Sequence, residues 1–287
     1  MKLARFSDLH AARYGIVEGA VIRPLPIALS ALPVHEVVAA IRDNPDLAER
    51  PRPLSEIRLL APLPRPGKVV AIGLNYADHA AEGDLALPSE PLVFAKFPSS
   101  IIGPDEPIRW NRAVTDAVDI EAELAAIIGL SARHVSADRA LDHVIGYTCL
   151  NDVTARDLQF RDVQWVRGKS LDTFCPIGPW IVTTDELPDP QVLGIRSSIS
   201  GRALQDGSTR DMLFGVAEII ARLSQVLTLE PGDVIATGTP PGVGWFREPR
   251  RLLADGDEVS VEIDGIGRLR NPVIVTGDDP GAVAPIV

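Results

Sequence analysis

Apolar positions along this chain recur with two periods, one suited to helices and one to strands. Val34, Val37, Val38 and Ile41 recur at 3.6-residue spacing and predict a helix from Pro33 to Ile41. Leu213, Val216, Ile219, Ile220, Leu223 and Leu227 line one side of a second helix, and Ala137, Ala140, Leu141 and Val144 line a short third, with Ser136 able to cap it. Strands are predicted where apolar runs stop at turn residues: Lys68–Gly73, Pro91–Phe97, Val144–Leu150 and a hairpin from Tyr14 to Ile22 about Glu18-Gly19. A second hairpin spans Asp255 to Val273, with Asp264-Gly265 at its tip. Short strands with few covering helices predict a mostly antiparallel α+β fold.

The stretch Asp119 to Gly129 reads as one strand carrying an unusual charge pattern. Alternation puts Asp119, Glu121 and Glu123 on one face and Ile120, Ala122 and Leu124 on the other. Neighbouring like charges repel, so either bulk water or a hard divalent cation must offset the repulsion. Farther upstream, Leu74 to Gly83 has helix composition, and His79 and Glu82 stand three apart on one face. That spacing by itself favours a surface ion pair, and it also fits a general base whose imidazole is oriented by a carboxylate. A polar cluster, Asn151 to Gln159, closes the strand that ends at Leu150, where a rigid sheet holds groups at low packing cost. The segment Val166 to Pro179 is studded with turn residues, and Cys175 within it reads as a small buried hydrophobe. The glycine-proline loop Thr237 to Gly244 exposes amides that can cradle an anion, without the spacing of a Walker or dinucleotide-binding loop.

Prolines 51, 53, 62, 64 and 66 exclude helix interior and central strand there. A boundary at their end divides the chain into a small N-terminal domain with its connector, 1–66, and a larger domain, 67–287. A proline-rich surface loop inside one domain is the other reading. The 287 residues, 46% hydrophobic and 23% charged, can bury a substantial core. A net charge of −11 argues against nucleic acid or an anionic membrane as partner, so an anionic substrate would need local positive charge from Lys, Arg or a metal. The N-terminal residues carry no signal-peptide pattern, no 18-residue apolar run occurs, and two cysteines make neither a disulfide framework nor a zinc set. A cytoplasmic enzyme or binding protein is expected.

Five blocks then align, in order, with one family: Gly73-Leu74-Asn75-Tyr76-Ala77-Asp78-His79, the 119–129 strand, Asn151-Asp152-Val153-Thr154-Ala155-Arg156-Asp157, Gly168-Lys169-Ser170-Leu171-Asp172, and Gly232 to Pro240. From about residue 68 to 275 the sequence resembles the fumarylacetoacetate hydrolase family. The resemblance implies stacked sheets, a homodimer and a Mg²⁺ or Mn²⁺ site. By position it implies Glu121, Glu123 and Asp152 as metal ligands, His79 and Glu82 as a base dyad on a lid, Lys169 as a catalytic cation, and Gln159 and Thr239 as substrate contacts. The enzyme that names the family has an aspartate ligand before its catalytic histidine, where this chain has Gly73 to Tyr76, and an aromatic residue where Val163 stands. Both departures favour the branch with smaller substrates. The activity so implied is metal-dependent C–C cleavage of a small anionic 2,4-dioxo acid of the acylpyruvate type through a pyruvate enolate. Oxaloacetate decarboxylation and isomerisation of unsaturated 2-hydroxy diacids share that intermediate. A non-catalytic metal-dependent dicarboxylate binder is the alternative from another class.

Overall fold

The computed structural model describes residues 1–8 and 11–277, so the end of the expected 67–287 segment beyond Gly277 lies outside the described residues. Among the described residues the largest element is a 12-stranded sheet, accompanied by a five-stranded sheet and a two-stranded ladder. Most pairings are antiparallel; the parallel ones include Val234–Ala236 beside Val69–Gly73 and Gly267–Thr276 beside Ile108–Asn111. The fold is α+β, as expected.

The centre of the large sheet is made by Ala122–Ile128, Val144–Asn151 and Cys175–Thr183. Every residue of Ala122–Ile128 is buried because both faces are covered. Leu124, Ala126 and Ile128 pack into one core with the helix Val216–Val226, while Ala125 and Ile127 pack into another with the helix Val34–Asp43. A strand covered on both faces reads as a continuous apolar run rather than an alternation.

The 119–129 strand is broken. Strand geometry covers Val118–Asp119 and resumes at Ala122, and Asp119 pairs with Thr154 in the separate two-stranded ladder. Side chains take three successive amides at the break. The Ile120 N–H donates to Asp119 Oδ1 (2.9 Å), that of Glu121 to Asn151 Oδ1 (3.1 Å) and that of Ala122 to Gln205 Oε1 (3.0 Å). Polar side chains that satisfy the backbone compete with the ladder, and here they win.

Cys175–Thr183, within and beyond the segment that reads as turns, is a central strand. Gly178, at φ +141°, sits where the register against Val144–Asn151 shifts, so the turn-forming residues serve an irregularity inside the sheet. Ser136 stands at the N-cap of Ala137–Ala140 but makes no side-chain capping bond, and the helix ends after four residues in a tighter turn. Both predicted hairpins are present, as Ala11–Glu18 with Val21–Pro24 and Glu258–Ile263 with Gly267–Thr276. The proline-rich stretch supplies Arg52–Pro53, at the edge of the large sheet, and Arg58–Leu60, beside Lys2–Asp8. Lys2 and Leu3 in turn pair with Val182 and Ile181, so one sheet runs through the N-terminal segment and the larger one. No helix among the described residues is long and apolar enough to cross a membrane.

Candidate active site

The strand Val69–Gly73 ends in a backbone reversal that sets up the site. Leu74 takes φ +53°, and the Asn75 side chain locks the turn: its Nδ2 donates to the carbonyls of Thr237 (2.7 Å) and Phe214 (3.0 Å), and its Oδ1 accepts from Phe214 N–H (2.8 Å). The helix Ala77–Glu82 then begins, carrying His79 and Glu82 on one face. His79 Nδ1 lies 3.2 Å from Glu82 Oε2. His79 is buried, so the pair is not merely a solvated surface contact.

Opposite it lie Glu121, Glu123 and Asp152, each buried, each offering an oxygen within 4.8 Å of the others. Water is therefore not what offsets their repulsion. Buried cations do part of it. Lys169 Nζ donates to Glu121 Oε2 and Asp152 Oδ2, both at 2.7 Å. Lys96 Nζ donates to Asp152 Oδ1 at 2.6 Å and also contacts the carbonyl of Lys169. Arg156 pairs with Glu121 Oε1 through Nη1 (2.7 Å) and with Asp119 Oδ2 through Nη2 (2.8 Å) and Nε (3.0 Å).

The charges do not cancel evenly. Burial alone would raise the Glu121 carboxyl, but Lys169 and Arg156 hold it well below the usual carboxylate range. Burial likewise would lower the Lys169 ammonium, but Asp152 and Glu121 keep it raised and charged. Glu123 is pushed far up by burial and then by Asp152 and Glu121, and it has no ion-pair partner among the described residues; its Oε2 accepts only the Gly238 amide, at 2.9 Å. A buried carboxylate facing two others without a cation of its own is what a hard divalent ion bound by oxygens would relieve. The donor set fits such an ion.

His79, Glu121, Glu123, Gln159, Lys169 and Thr239 all line one cleft, with a cavity volume of about 40 Å³. Its remaining wall is largely apolar, from Leu85, Phe94, Phe160, Trp165 and Phe246. Gln159 Oε1 accepts from Arg156 (3.1 Å), which turns the amide. The Thr239 hydroxyl donates to the carbonyl of Ala122 (2.9 Å) and accepts from Gln205 Nε2 (2.6 Å), so its hydrogen is already engaged. Glu82 and Asp152 stand one contact behind the lining, through His79 and Lys169.

Lys96, Arg156 and Asp119 are missing from the sequence-derived set. Arg156 stands in the aligned polar block and Lys96 is a single cation in an apolar strand, which were the available signals. The glycine-proline loop does cradle anions, but they are the protein's own: Gly238 N–H serves Glu123, Gly242 N–H serves Glu82, and the amides of Gly244 and Trp245 serve Asp119. Cys175 and Cys149 are buried, and burial raises both thiols, Cys175 to about 12.

Comparison with known proteins identifies the family and the fold. The profile of the fumarylacetoacetate (FAA) hydrolase C-terminal family matches residues 68–274, and that of the Rv2993c-like N-terminal region matches 1–62. The mitochondrial oxaloacetate tautomerase fahd2 of Xenopus laevis is 48% identical over 222 residues, 77% of this chain and 69% of that protein. The oxaloacetate tautomerase YisK of Bacillus subtilis (strain 168) is 44% identical over 237 residues, 82% of this chain and 79% of that protein. Among solved structures, a fumarylacetoacetate hydrolase from Exiguobacterium antarcticum superposes with a TM-score of 0.86 at 43% identity, covering 96% of this chain and all of that one. A 2-hydroxyhepta-2,4-diene-1,7-dioate isomerase from Mycobacterium marinum gives 0.81 at 39%, covering 97% and 100%. The chain is an enzyme of the fumarylacetoacetate hydrolase family.

Proposed function

We propose that this enzyme interconverts the enol and keto forms of oxaloacetate, or of a 2-oxo dicarboxylate close to it in size, with a divalent metal. The observation that carries the reading is the single small cleft in which an imidazole–carboxylate pair faces a buried carboxylate cluster and its lysine. Relatives named for this activity support the substrate.

Glu121, Glu123 and Asp152 would hold Mg²⁺ or Mn²⁺, which when bound would draw electron density from the oxygens of a 2-oxo acid. His79 gives or takes the proton at C3. Its Nδ1 is engaged by Glu82, which leaves Nε2 for the substrate. The enol hydroxyl proton leaves to solvent as the C3 proton arrives, so the exchange balances. Lys169 keeps a third N–H beyond the two given to Glu121 and Asp152, and its charge stabilises the enolate that forms between the two transfers. Gln159 offers its amide N–H₂ to a substrate carboxylate, because its carbonyl is taken by Arg156. Thr239 can only accept while its hydrogen stays with Ala122, so its contact is with a hydroxyl or a water rather than a carboxylate.

Hydrolysis of an acylpyruvate remains the second reading, favoured by the apolar wall and by structural relatives named as hydrolases of fumarylacetoacetate and, in Sphingobium.sp SYK-6, maleylpyruvate. Loss of enol absorbance from enol-oxaloacetate, followed beside pyruvate and CO₂ release and beside acylpyruvate cleavage, separates the two. Rapid ketonisation without pyruvate or CO₂ is expected, falling at least ~100-fold in His79→Ala. Acylpyruvate cleavage with ketonisation at the uncatalysed rate would replace this reading with the second.

A further inference from the structure

Outside the catalytic groups, the most heavily engaged buried carboxylate among the described residues is Asp119. Its side chain has no exposed surface and accepts five hydrogen bonds: Oδ1 from Ile120 N–H and Gly244 N–H, and Oδ2 from Trp245 N–H and from two nitrogens of Arg156. Two of these bonds reach across 125 and 126 residues to one loop. That loop has little freedom in how it passes Asp119. A Cβ at Gly244 would lie 1.9 Å from the Arg251 carbonyl oxygen, and Gly242 takes φ +102°.

The same loop then touches the histidine-bearing helix at three points. Gly242 N–H donates to Glu82 Oε1 at 2.7 Å. The Phe246 ring meets the His79 ring edge-on, with centroids 6.1 Å apart, and lies against Gly83, where an added Cβ would come within 3.1 Å of it. Among the described residues, the Gly242 amide is the only hydrogen-bond partner of Glu82 from outside its helix, and His79 bonds only to Glu82. The helix Ala77–Glu82 has six residues, too few to hold its shape by its own hydrogen bonds. The Asn75 turn fixes where the helix begins, the loop holds the dyad from the other side, and Asp119 holds the loop at Gly244 and Trp245.

We infer that Asp119 is a positioning residue, the latch of the Gly242–Phe246 loop, and that this loop holds His79 and Glu82 in the geometry of proton transfer. The inference deepens the proposed proton-transfer role of His79 and rests on it for its effect on rate, although the mechanical coupling does not. Arg156, shared by Asp119 and Glu121, joins the latch to the carboxylate cluster. Asp119→Asn keeps the shape but turns one acceptor oxygen into a donor that faces the loop amides or Arg156.

Amide hydrogen exchange of the whole, chelator-treated chain tests the coupling without any turnover. In Asp119→Asn, exchange is expected to rise at least ~10-fold at Gly244 and Trp245 and, with them, over residues 77–83, while the hairpin 258–276 keeps its wild-type protection. Faster exchange in the loop with residues 77–83 unchanged would overturn the inference. Phe246 is only half-buried, so Phe246→Ala tests the same link should Asp119→Asn fail to fold. It should loosen 77–83 while Gly244 and Trp245, still bonded to Asp119, stay protected; unchanged protection at 77–83 would refute the link. With oxaloacetate as substrate, Asp119→Asn should lose about tenfold in kcat with KM changed less than about threefold, because Asp119 does not line the cleft. A fall in affinity with kcat intact would make Asp119 part of the binding site instead. Wild-type protein that is inactive on oxaloacetate yet shows the coupled exchange would sink the substrate assignment and leave the latch standing.

Discussion

Lys96 illustrates how much of the site's chemistry lies in residues that read as ordinary. It sits in an apolar run, and a lone lysine in an edge strand is usually solvated. Here it is drawn under the cleft, and neither its side chain nor that of its partner Asp152 has exposed surface. Removing one member of a buried pair leaves the other charge without compensation. Lys96→Met is therefore expected to lower the unfolding free energy of the chelator-treated protein by about 3–5 kcal/mol, read from denaturant unfolding. Unchanged stability would mean that Asp152 does not depend on Lys96. Glu121 and Glu123, and His79 beside Glu82, are marked in the sequence by type and spacing, and Lys169 by the family resemblance alone. Lys96 and Asp119 are not legible there, because their partners lie 56, 125 and 126 residues away and only the fold brings them together.

Turn chemistry and helical periodicity act over a few residues, and both hairpins and the two longer helices followed from them. The interrupted 119–129 strand did not, since the acceptors that take its amides come from Asn151 and Gln205, 30 and 83 residues away. Nor did Cys175–Thr183, whose Pro176, Gly178 and Pro179 are the residues that ordinarily end strands. The hairpin Glu258–Thr276 carries a further expectation, because Asp257 ties its base to the preceding loop. Asp257 Oδ1 accepts from Arg251 Nη2 and Ser200 Oγ, both at 2.7 Å, and Oδ2 accepts from Ala254 N–H at 2.8 Å. Burial alone would raise this carboxyl, but those donors hold it below the ordinary aspartate value of 3.8. A lowered folded-state value means stabilisation that is full above the unfolded value and lost as pH falls through the folded one. Asp257→Asn should therefore cost about 1 kcal/mol at neutral pH, and the difference from wild type should close as pH drops below about 4. Thermal unfolding across that range checks it, and a gap that stays constant with pH would contradict the assignment.

Across the whole molecule, the large sheet decides how the parts depend on one another. The prolines predict a boundary at the end of the 1–66 segment, and the first strand of that segment pairs with a central strand of the larger one. Leu3 packs with Ile177 and Ile181 in a shared core. Deleting residues 1–66 would bare one side of Cys175–Thr183 and that apolar surface, and open strand edges associate. The truncated protein is expected to be aggregated by size-exclusion chromatography, and a soluble fragment with wild-type activity would show the segment to be dispensable.

The same sheet brings the carboxylates of Glu121, Glu123 and Asp152 under the helix that carries His79, and the account rests on those two halves acting as one centre. The most direct measurement is the decay of enol-oxaloacetate absorbance with chelator-stripped protein, before and after Mg²⁺ or Mn²⁺ is added. The stripped wild type should be inactive and recover with metal, whereas Glu123→Ala should stay at the uncatalysed rate in the presence of the ion. Full activity of stripped wild type, or of Glu123→Ala, would show that the carboxylate cluster is structural and that the proton transfer needs no metal there.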